Sequence, residues 1–142
     1  MMRPVHLKMC VRYNQLALLT YIHEHGGVWD NKVSALCAEY GRLHMLKYAY
    51  IHSCPWDADT CASAAANGHI ECLRYLHEHG CPWDEVTTYA ACLYGHVECL
   101  RYAHQQGCIL HPECSSIARE HQQVACTQYL NVIRLAHNDS TN

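Results

Sequence analysis

A repeat of 27 residues constrains this 142-residue sequence more than any other feature. Segment 68–85 aligns without a gap on segment 95–112, at an offset of 27 residues. Two earlier copies lie in the same register at 14–31 and 41–58, and a weaker copy lies at 122–135. A chain with this periodicity is built from units that contact mainly their neighbours, so the repeat has to be interpreted before any other motif.

Four columns of the repeat alignment carry the same residue in most copies. The tyrosine column is complete, at Tyr21, Tyr48, Tyr75, Tyr102 and Tyr129. The leucine column is formed by Leu19, Leu46, Leu73 and Leu100. A tryptophan column at Trp29, Trp56 and Trp83 is followed directly by an aspartate column at Asp30, Asp57 and Asp84. We interpret the tyrosines and tryptophans as a structural ladder with the period of the repeat.

Each unit contains two helical patterns with a turn between them. The first pattern is short and rich in small residues, as in segment 60–66, and small side chains let helices approach closely. The second runs from about residue 69 to about residue 79 and places Ile70, Leu73 and Leu76 on one face. Helix N-caps are expected at Asp57 and Asp84. Second helices are expected to end at Gly26, Gly80 and Gly107.

The sequence therefore predicts an all-α protein. Because a single pair of helices cannot bury both of its apolar faces, the units have to stack into an α-solenoid of five helix-turn-helix repeats. The expected repeats are about 5–30, 31–57, 58–84, 85–111 and 112–136, followed by a polar C-terminal tail at 137–142. The turns between repeats are short, so almost no strand is expected.

The two ends of the stack differ in composition. The fifth unit is predicted to be a polar cap because it carries Glu120, His121, Gln122 and Gln123. The first unit is predicted to have a partly apolar exposed end, formed by Val5, Leu7, Met9 and Val11. Self-association through the first repeat is the expectation that follows from this difference.

Composition excludes several classes of protein. The formal net charge of -3 and the lack of a basic run argue against a nucleic-acid binder. No apolar stretch reaches the length of about 18 residues that a membrane-spanning helix requires. The N-terminal segment lacks the apolar core of a secretory signal. Secretion is therefore not expected, and the expected location is the cytoplasm. The 11 cysteines cannot all pair, and we expect them to be reduced thiols that fill the core.

The repeat resembles the ankyrin repeat, whose core reads A-A-x-x-G-H-x-E. In the third unit the matching residues are Ala64, Ala65, Gly68, His69 and Glu71, and in the fourth Ala91, Gly95, His96 and Glu98. The resemblance covers residues 5 to about 135. It departs from the family in lacking the T-P-L-H start and in its period, which is 27 rather than about 33. The missing residues correspond to the β-hairpin finger of ankyrins.

The resemblance implies a non-enzymatic module that binds a protein partner, with no cofactor. It also implies that His69 and His96 make structural hydrogen bonds at the turn. Short repeats with a C-P-W-D signature are similar to those in large ankyrin arrays of giant DNA viruses and some protists, which would place the chain in a host cytoplasm. The alternative function is a structural or assembly component, for example of a virus particle.

The residues themselves suggest two kinds of chemistry to consider, metal binding and catalysis. The strongest metal-binding candidate is His77-x-His79-x-Cys81, but helical residues two apart point in nearly opposite directions, so we expect no metal. Catalytic residues seldom recur in every unit of a solenoid, and no nucleophile or phosphate-binding motif is present, so we expect no catalytic residue. The tryptophan column has two open interpretations, packing that replaces the finger or an exposed aromatic stripe.

The candidate binding positions are first-helix columns in which the copies differ. In a repeat protein, variable positions on a common scaffold form the binding site, and ankyrins use their first helices for the concave face. The candidates are Arg12, Tyr13, Glu39, Tyr40, Asn67, Tyr89, Leu93 and Tyr94. Tyrosine supplies a large contact area at a low entropic cost. Simple exposure to solvent is the alternative explanation of these columns.

Overall fold

The computed structural model describes residues 4–27 and 29–140, and within them it contains ten α-helices and no strand. The helices form five consecutive pairs, which we call units 1 to 5. The bounds are α1 Pro4–Arg12 and α2 Leu16–Glu24, α3 Asn31–Glu39 and α4 Leu43–Ile51, α5 Ala58–Ala66 and α6 Ile70–Glu78, α7 Glu85–Tyr94 and α8 Val97–Gln105, α9 Cys114–Glu120 and α10 Val124–Ser140. The predicted all-α solenoid is confirmed.

Aspartate side chains begin the first helices of units 2, 3 and 4. Asp30, Asp57 and Asp84 each accept a hydrogen bond from the backbone N–H two residues later, at 3.0–3.1 Å. In unit 3 the Thr60 hydroxyl also bonds to the Asp57 N–H, which completes a capping box. In unit 4 the buried hydroxyl of Thr87, at the same column, finds no hydrogen-bond partner among the described residues.

Unit 5 begins differently because His111 occupies the aspartate column. Its Nδ1 accepts a hydrogen bond from the Glu113 N–H at 3.0 Å, so the imidazole replaces the carboxylate. The first helix of this unit then starts only at Cys114 and is seven residues long.

Two turns per unit require a left-handed backbone. Between the helices of a pair, φ is positive at Asn14, Gly41, Gly68, Gly95 and Gln122. After the second helix, φ is positive at Gly26, Ser53, Gly80 and Gly107. A residue with a Cβ pays for this conformation, so glycine predominates at both positions. The predicted helix ends at Gly26, Gly80 and Gly107 are therefore confirmed.

The stack is tightest between first helices. Helices α3, α5 and α7 pack on one another along much of their length, whereas the second helices of neighbouring units meet at only a few residues. Small residues such as Ala38, Ala64 and Ala65, all fully buried, permit this close approach. The first helices therefore form one side of the stack and the second helices the other.

The core is a continuous row of leucines and thiols. The leucine column is fully buried, and all 11 cysteines are buried and free. Burial raises the pKa of the Cys72 thiol to about 11 and that of Cys99 to about 12. The expectation that the cysteines fill the core is confirmed.

A polar contact also joins successive units. In units 2, 3 and 5, the residue after the positive-φ turn residue reaches back to the first helix of the unit before it. The Arg42 guanidinium donates to the Val11 carbonyl at 3.0 Å and to the Arg12 carbonyl, and the Gln123 amide donates to the Leu93 carbonyl at 3.0 Å. His69 interacts in the same way with the Glu39 backbone. We call this contact the inter-unit clasp.

The expected exposure of unit 1 is partly wrong. Leu7 and Val11 are buried within the stack, and of the three predicted residues with a described side chain only Met9 is exposed. The side chain of Val5 lies outside the described residues. At the other end, Glu120, His121 and Gln122 are exposed, but Gln123 is half-buried because it forms the clasp.

The C-terminal tail expected at 137–142 begins as helix. Helix α10 continues through Ser140, so the boundary at residue 136 lies inside a helix and residues 137–140 extend it. In the part of the chain that the structure describes, no helix has the length and apolar character needed to cross a membrane.

Replacing Gly68 with alanine should destabilise the stack more than replacing Gly80. Both residues have positive φ, +72° and +84°. A Cβ at Gly68 would lie 2.5 Å from Nδ1 of His96, whereas a Cβ at Gly80 would meet nothing within 4 Å. We expect Gly80→Ala to lower the free energy of unfolding by about 1–2 kcal/mol and Gly68→Ala by about 3 kcal/mol. Urea denaturation measures both, and equal losses would show that His96 moves aside at no cost.

The core thiols should be slow to react in the folded protein. The thiolate is the reactive species, and burial both shields Cys72 and Cys99 and raises their pKa. Labelling with a thiol reagent, followed by mass spectrometry of the peptides, should give slow modification in buffer and rapid modification in guanidinium. Rapid labelling of these two cysteines without denaturant would contradict the burial.

Acid should destabilise the protein partly through His69. Burial at the junction between units 2 and 3 removes water from the His69 imidazole and lowers its pKa below the usual value. The charges of His96 and Arg42 lower this pKa further, whereas the hydrogen bond with the Glu39 backbone raises it. Below about pH 6.5 the unfolded chain therefore binds more protons than the folded chain. The contribution of His69 to the free energy of unfolding is complete above about pH 6.5 and is lost as the pH falls toward the folded-state pKa.

The variant His69→Gln tests this dependence. Glutamine keeps a donor for the clasp, as Gln123 shows, but does not titrate. The fall in melting temperature between about pH 7.5 and pH 5.5 should be smaller in the variant than in the unmodified chain. The exposed His44 provides the matched control, His44→Gln, which should melt like the unmodified chain at both pH values. An unchanged pH dependence in His69→Gln would contradict the assignment.

Candidate functional site

The candidate binding positions lie at the C-terminal ends of the first helices, except Tyr89, which lies in the middle of α7. Two of them present large aromatic surfaces to solvent, since Tyr13 is 58% exposed and Tyr94 is 56% exposed. Glu39 and Asn67 are also exposed, and the Asn67 amide donates to the Ser63 carbonyl at 2.9 Å. We call the solvent-facing side of α1, α3, α5, α7 and α9 the first-helix surface.

The remaining candidates are less accessible. Tyr40 is half-buried and packs against the core, although it shares its column with Tyr13 and Tyr94. Leu93 is also half-buried, and its carbonyl is held by Gln123. Tyr89 lies half-buried with its ring 4.8 Å from that of His111. Membership of a variable column therefore does not by itself make a residue available to a partner.

Arg12 stands beside the first exposed tyrosine. Its guanidinium carbon lies 5.7 Å from the centre of the Tyr13 ring, which is within the range of a cation–π contact. The pair presents an aromatic ring with an adjacent positive charge at one end of the first-helix surface.

Unit 3 forms a low floor between the two exposed tyrosines. Its first helix presents Ala62, Ser63 and Ala66, all only partly exposed and all small. Tyr13 belongs to unit 1 and Tyr94 to unit 4, so three helix spacings of roughly 9–10 Å place them about 30 Å apart. The first-helix surface thus has small side chains in unit 3 and an exposed aromatic side chain on either side of them.

The ladder residues lie at the joints between units, on the second-helix side. Trp29 stacks on His23 with ring centres 4.1 Å apart, and the Trp29 indole N–H donates to the His52 carbonyl at 3.1 Å. Trp56 stacks on Tyr50 at 4.7 Å, and Trp83 on His77 at 4.0 Å. All three tryptophans are half-buried. Each therefore packs on the second helix of its own unit rather than standing free.

The tyrosine column completes these joints. Tyr48, Tyr75 and Tyr102 each place a ring edge against the aromatic cluster of the preceding unit, at 5.8–6.0 Å. The Tyr48 hydroxyl also hydrogen-bonds His23 Nδ1 at 3.1 Å. Tyr21, in the first described unit, is 50% exposed.

Cations line the outer edge of the same joints. Lys47, Arg74 and Arg101 lie 5.4–5.7 Å from the ring centres of tyrosines one unit further along the chain. Such contacts contribute on the order of 0.5–1 kcal/mol each at exposed sites. The ring clusters and cations thus connect the second helices, which otherwise touch little.

The histidines considered as metal ligands are directed to different partners. His77 stacks on Trp83, whereas His79 Nδ1 lies 2.8 Å from the Tyr75 carbonyl. Across the described ranges, no three histidine, cysteine or acidic side chains converge in a way that could hold an ion.

Sequence reasoning missed the inter-unit clasp as a general feature. Its column reads Gln15, Arg42, His69, His96 and Gln123. Every member carries a hydrogen-bond donor, and that shared chemistry was the available signal. The resemblance pointed only to His69 and His96, because those are the residues that match the family.

Comparison with known proteins agrees with the structure. Residues 60–104, which run from within α5 to the end of α8, match a family model described as ankyrin repeats in many copies. No curated protein matches the sequence. The matched segment contains both glycine–histidine turns of units 3 and 4, Gly68–His69 and Gly95–His96. Residues 60–104 are therefore similar to ankyrin repeats, and the units on either side continue the same 27-residue register.

Proposed function

We propose that the chain is a non-enzymatic module that binds a protein partner through the first-helix surface. Ankyrin repeats are in general protein–protein interaction modules, which supports the class of function. The observation that carries the proposal is the exposure of Tyr13 and Tyr94 at one register position of the first-helix surface. Exposed aromatic side chains beside a low floor are typical of the residues that dominate binding energy at interfaces.

The surface favours a protein over a nucleic acid. Its charged residues have both signs, with Arg12 in unit 1 and Glu39 and Glu120 in units 2 and 5. A nucleic-acid groove needs a continuous positive potential, which this arrangement does not supply. The small side chains of unit 3 leave room for the bulk of a partner chain, and the two tyrosines would then contact it from either side.

The proposed location is the cytoplasm. The reduced state of 11 buried cysteines fits a reducing compartment. The similarity of the C-P-W-D turns to those of viral and protist arrays supports the host cytoplasm as the proposed setting. The second candidate function, an assembly component, would require self-association through unit 1, where apolar residues are exposed. A mass measurement of the isolated chain distinguishes it from a monomeric binding module.

Charge placed on the two exposed tyrosines should abolish binding. In an affinity capture from cell extract with the immobilised chain, Tyr13→Glu combined with Tyr94→Glu should lose the proteins that the unmodified chain retains. Losing one aromatic anchor typically costs about 2 kcal/mol, or roughly 30-fold in affinity. We do not include Tyr40, because its ring packs on the core and its replacement would disturb folding.

Tyr21→Glu is the matched control. Tyr21 is 50% exposed but belongs to the second-helix side, so this variant should retain the same proteins as the unmodified chain. The melting temperature of each variant verifies that it is folded. Capture that survives the double substitution, or that is lost equally in Tyr21→Glu, would place the binding surface elsewhere.

A further inference from the structure

An apolar groove lies at the free end of unit 1, between α1 and α2. Its volume is about 400 Å³, and its lining includes His6, Met9, Tyr13, Leu18 and Ile22. Met9 is 48% exposed and Leu18 is 41% exposed. We call this surface the end groove. It is separate from the second-helix ladder and touches the first-helix surface only at Tyr13.

The end groove consists of positions that are buried in every later unit. Leu18 shares its column with Met45, Cys72, Cys99 and Cys126, all buried. His6, which is exposed, shares its column with Val33, Thr60, Thr87 and Cys114, all buried as well. In units 2 to 5 these positions are covered by the preceding unit. The end groove is therefore one half of a junction whose complete form occurs four times in the same molecule.

The internal junctions show what covers such a position. Between units 4 and 5, the thiol of Cys114 hydrogen-bonds the thiol of Cys92, and the Cys126 thiol donates to the Ala91 carbonyl at 3.8 Å. Cys114 and Cys126 occupy the columns of His6 and Leu18. The natural cover of the end groove is thus the first helix of another repeat, with the column of Cys92 facing His6.

The chain's own C-terminal end does not provide that cover. The column of Cys92 contains Val11, Ala38 and Ala65 in units 1 to 3, all fully buried, but Arg119 in unit 5. The leucine column is likewise interrupted at Thr127. Stacking copies head to tail would bury the Arg119 guanidinium without a partner, which costs several kcal/mol.

A hydrogen-bond donor for the inter-unit clasp is already present at the end groove. Gln15 occupies the clasp column and carries the same amide as Gln123, which reaches the carbonyl of the unit before it. In unit 1 the Gln15 amide lies instead 3.4 Å from the Tyr13 carbonyl of its own unit. A docked repeat would offer Gln15 the carbonyl that the other clasp residues use.

We infer that the end groove is a docking site for the C-terminal end of another ankyrin-type array. That end must carry leucine at the column of Leu19 and a small or branched apolar residue at the column of Val11, as units 1 to 4 of this chain do. The partner therefore extends the stack in register. It is a repeat protein with an uncapped end, and it is not a second copy of this chain stacked head to tail.

The 142-residue chain supplies its own probe. A donor chain with Arg119→Ala and Thr127→Leu carries at its C-terminal end the residues of unit 3, and Leu18→Glu in the same chain blocks its own end groove. The unmodified chain is the acceptor. In sedimentation velocity, each should sediment at the 16.2 kDa mass of one chain, and their mixture should form a one-to-one complex of twice that mass.

Two acceptor variants locate the contact. Leu18→Glu in the acceptor should abolish the complex, whereas Leu135→Glu, at an exposed leucine on α10, should leave it intact. His6→Val, which introduces the residue found at Val33, should tighten the complex by about tenfold. Circular dichroism verifies that the donor is folded, and a donor with Thr127→Leu alone should bind the same acceptor more weakly.

Three results would overturn the inference. The first is a folded donor that forms no complex with the unmodified chain. The second is a complex that persists with the Leu18→Glu acceptor, because the contact would then lie outside the end groove. The third is a dimer of the unmodified chain alone that Leu18→Glu dissolves, because the occupant would then be a second copy joined groove to groove.

Discussion

Contact between the first helices of successive units is the interaction on which the rest of the structure depends. A pair of nine-residue helices buries little by itself, so each unit gains its core from the unit beside it. The fully buried alanines Ala38, Ala64 and Ala65 allow these helices to approach closely, and the second helices, which carry larger side chains, are held further apart. The stack therefore has two unlike sides, one of closely packed first helices and one of more widely spaced second helices.

The second-helix side of the stack needs other contacts because its helices barely touch. In this chain the stacked tryptophans, the edge-on tyrosines and the cations above them fill that space. Since these rings lie at the joints, they contribute to cohesion between units. The cysteines have a related role in the core, where a small apolar side chain fits between closely packed helices.

Local features were predictable from the sequence, and features set by a neighbouring unit were not. Asp57 begins its helix and Gly80 ends one because these effects depend on the adjacent backbone. Tyr13 and Tyr40 share a column, yet one is exposed and the other packs on the core, because their burial depends on side chains from other helices. Leu7 and Val11 were expected on the exposed end for the same reason: the helical pattern identifies an apolar face but not which unit covers it.

The two ends of the stack differ in the polarity of the residues that a further repeat would bury. At the C-terminal end, Arg119 and Thr127 replace buried apolar residues, so adding another repeat there would desolvate polar groups. At the N-terminal end, Leu18 keeps the apolar character of its buried equivalents while remaining exposed. Because the polar end of one copy does not fit the apolar end of another, the chain can keep an apolar end without polymerising. An apolar end that cannot be satisfied by the chain's own opposite end is a surface suited to a different repeat protein.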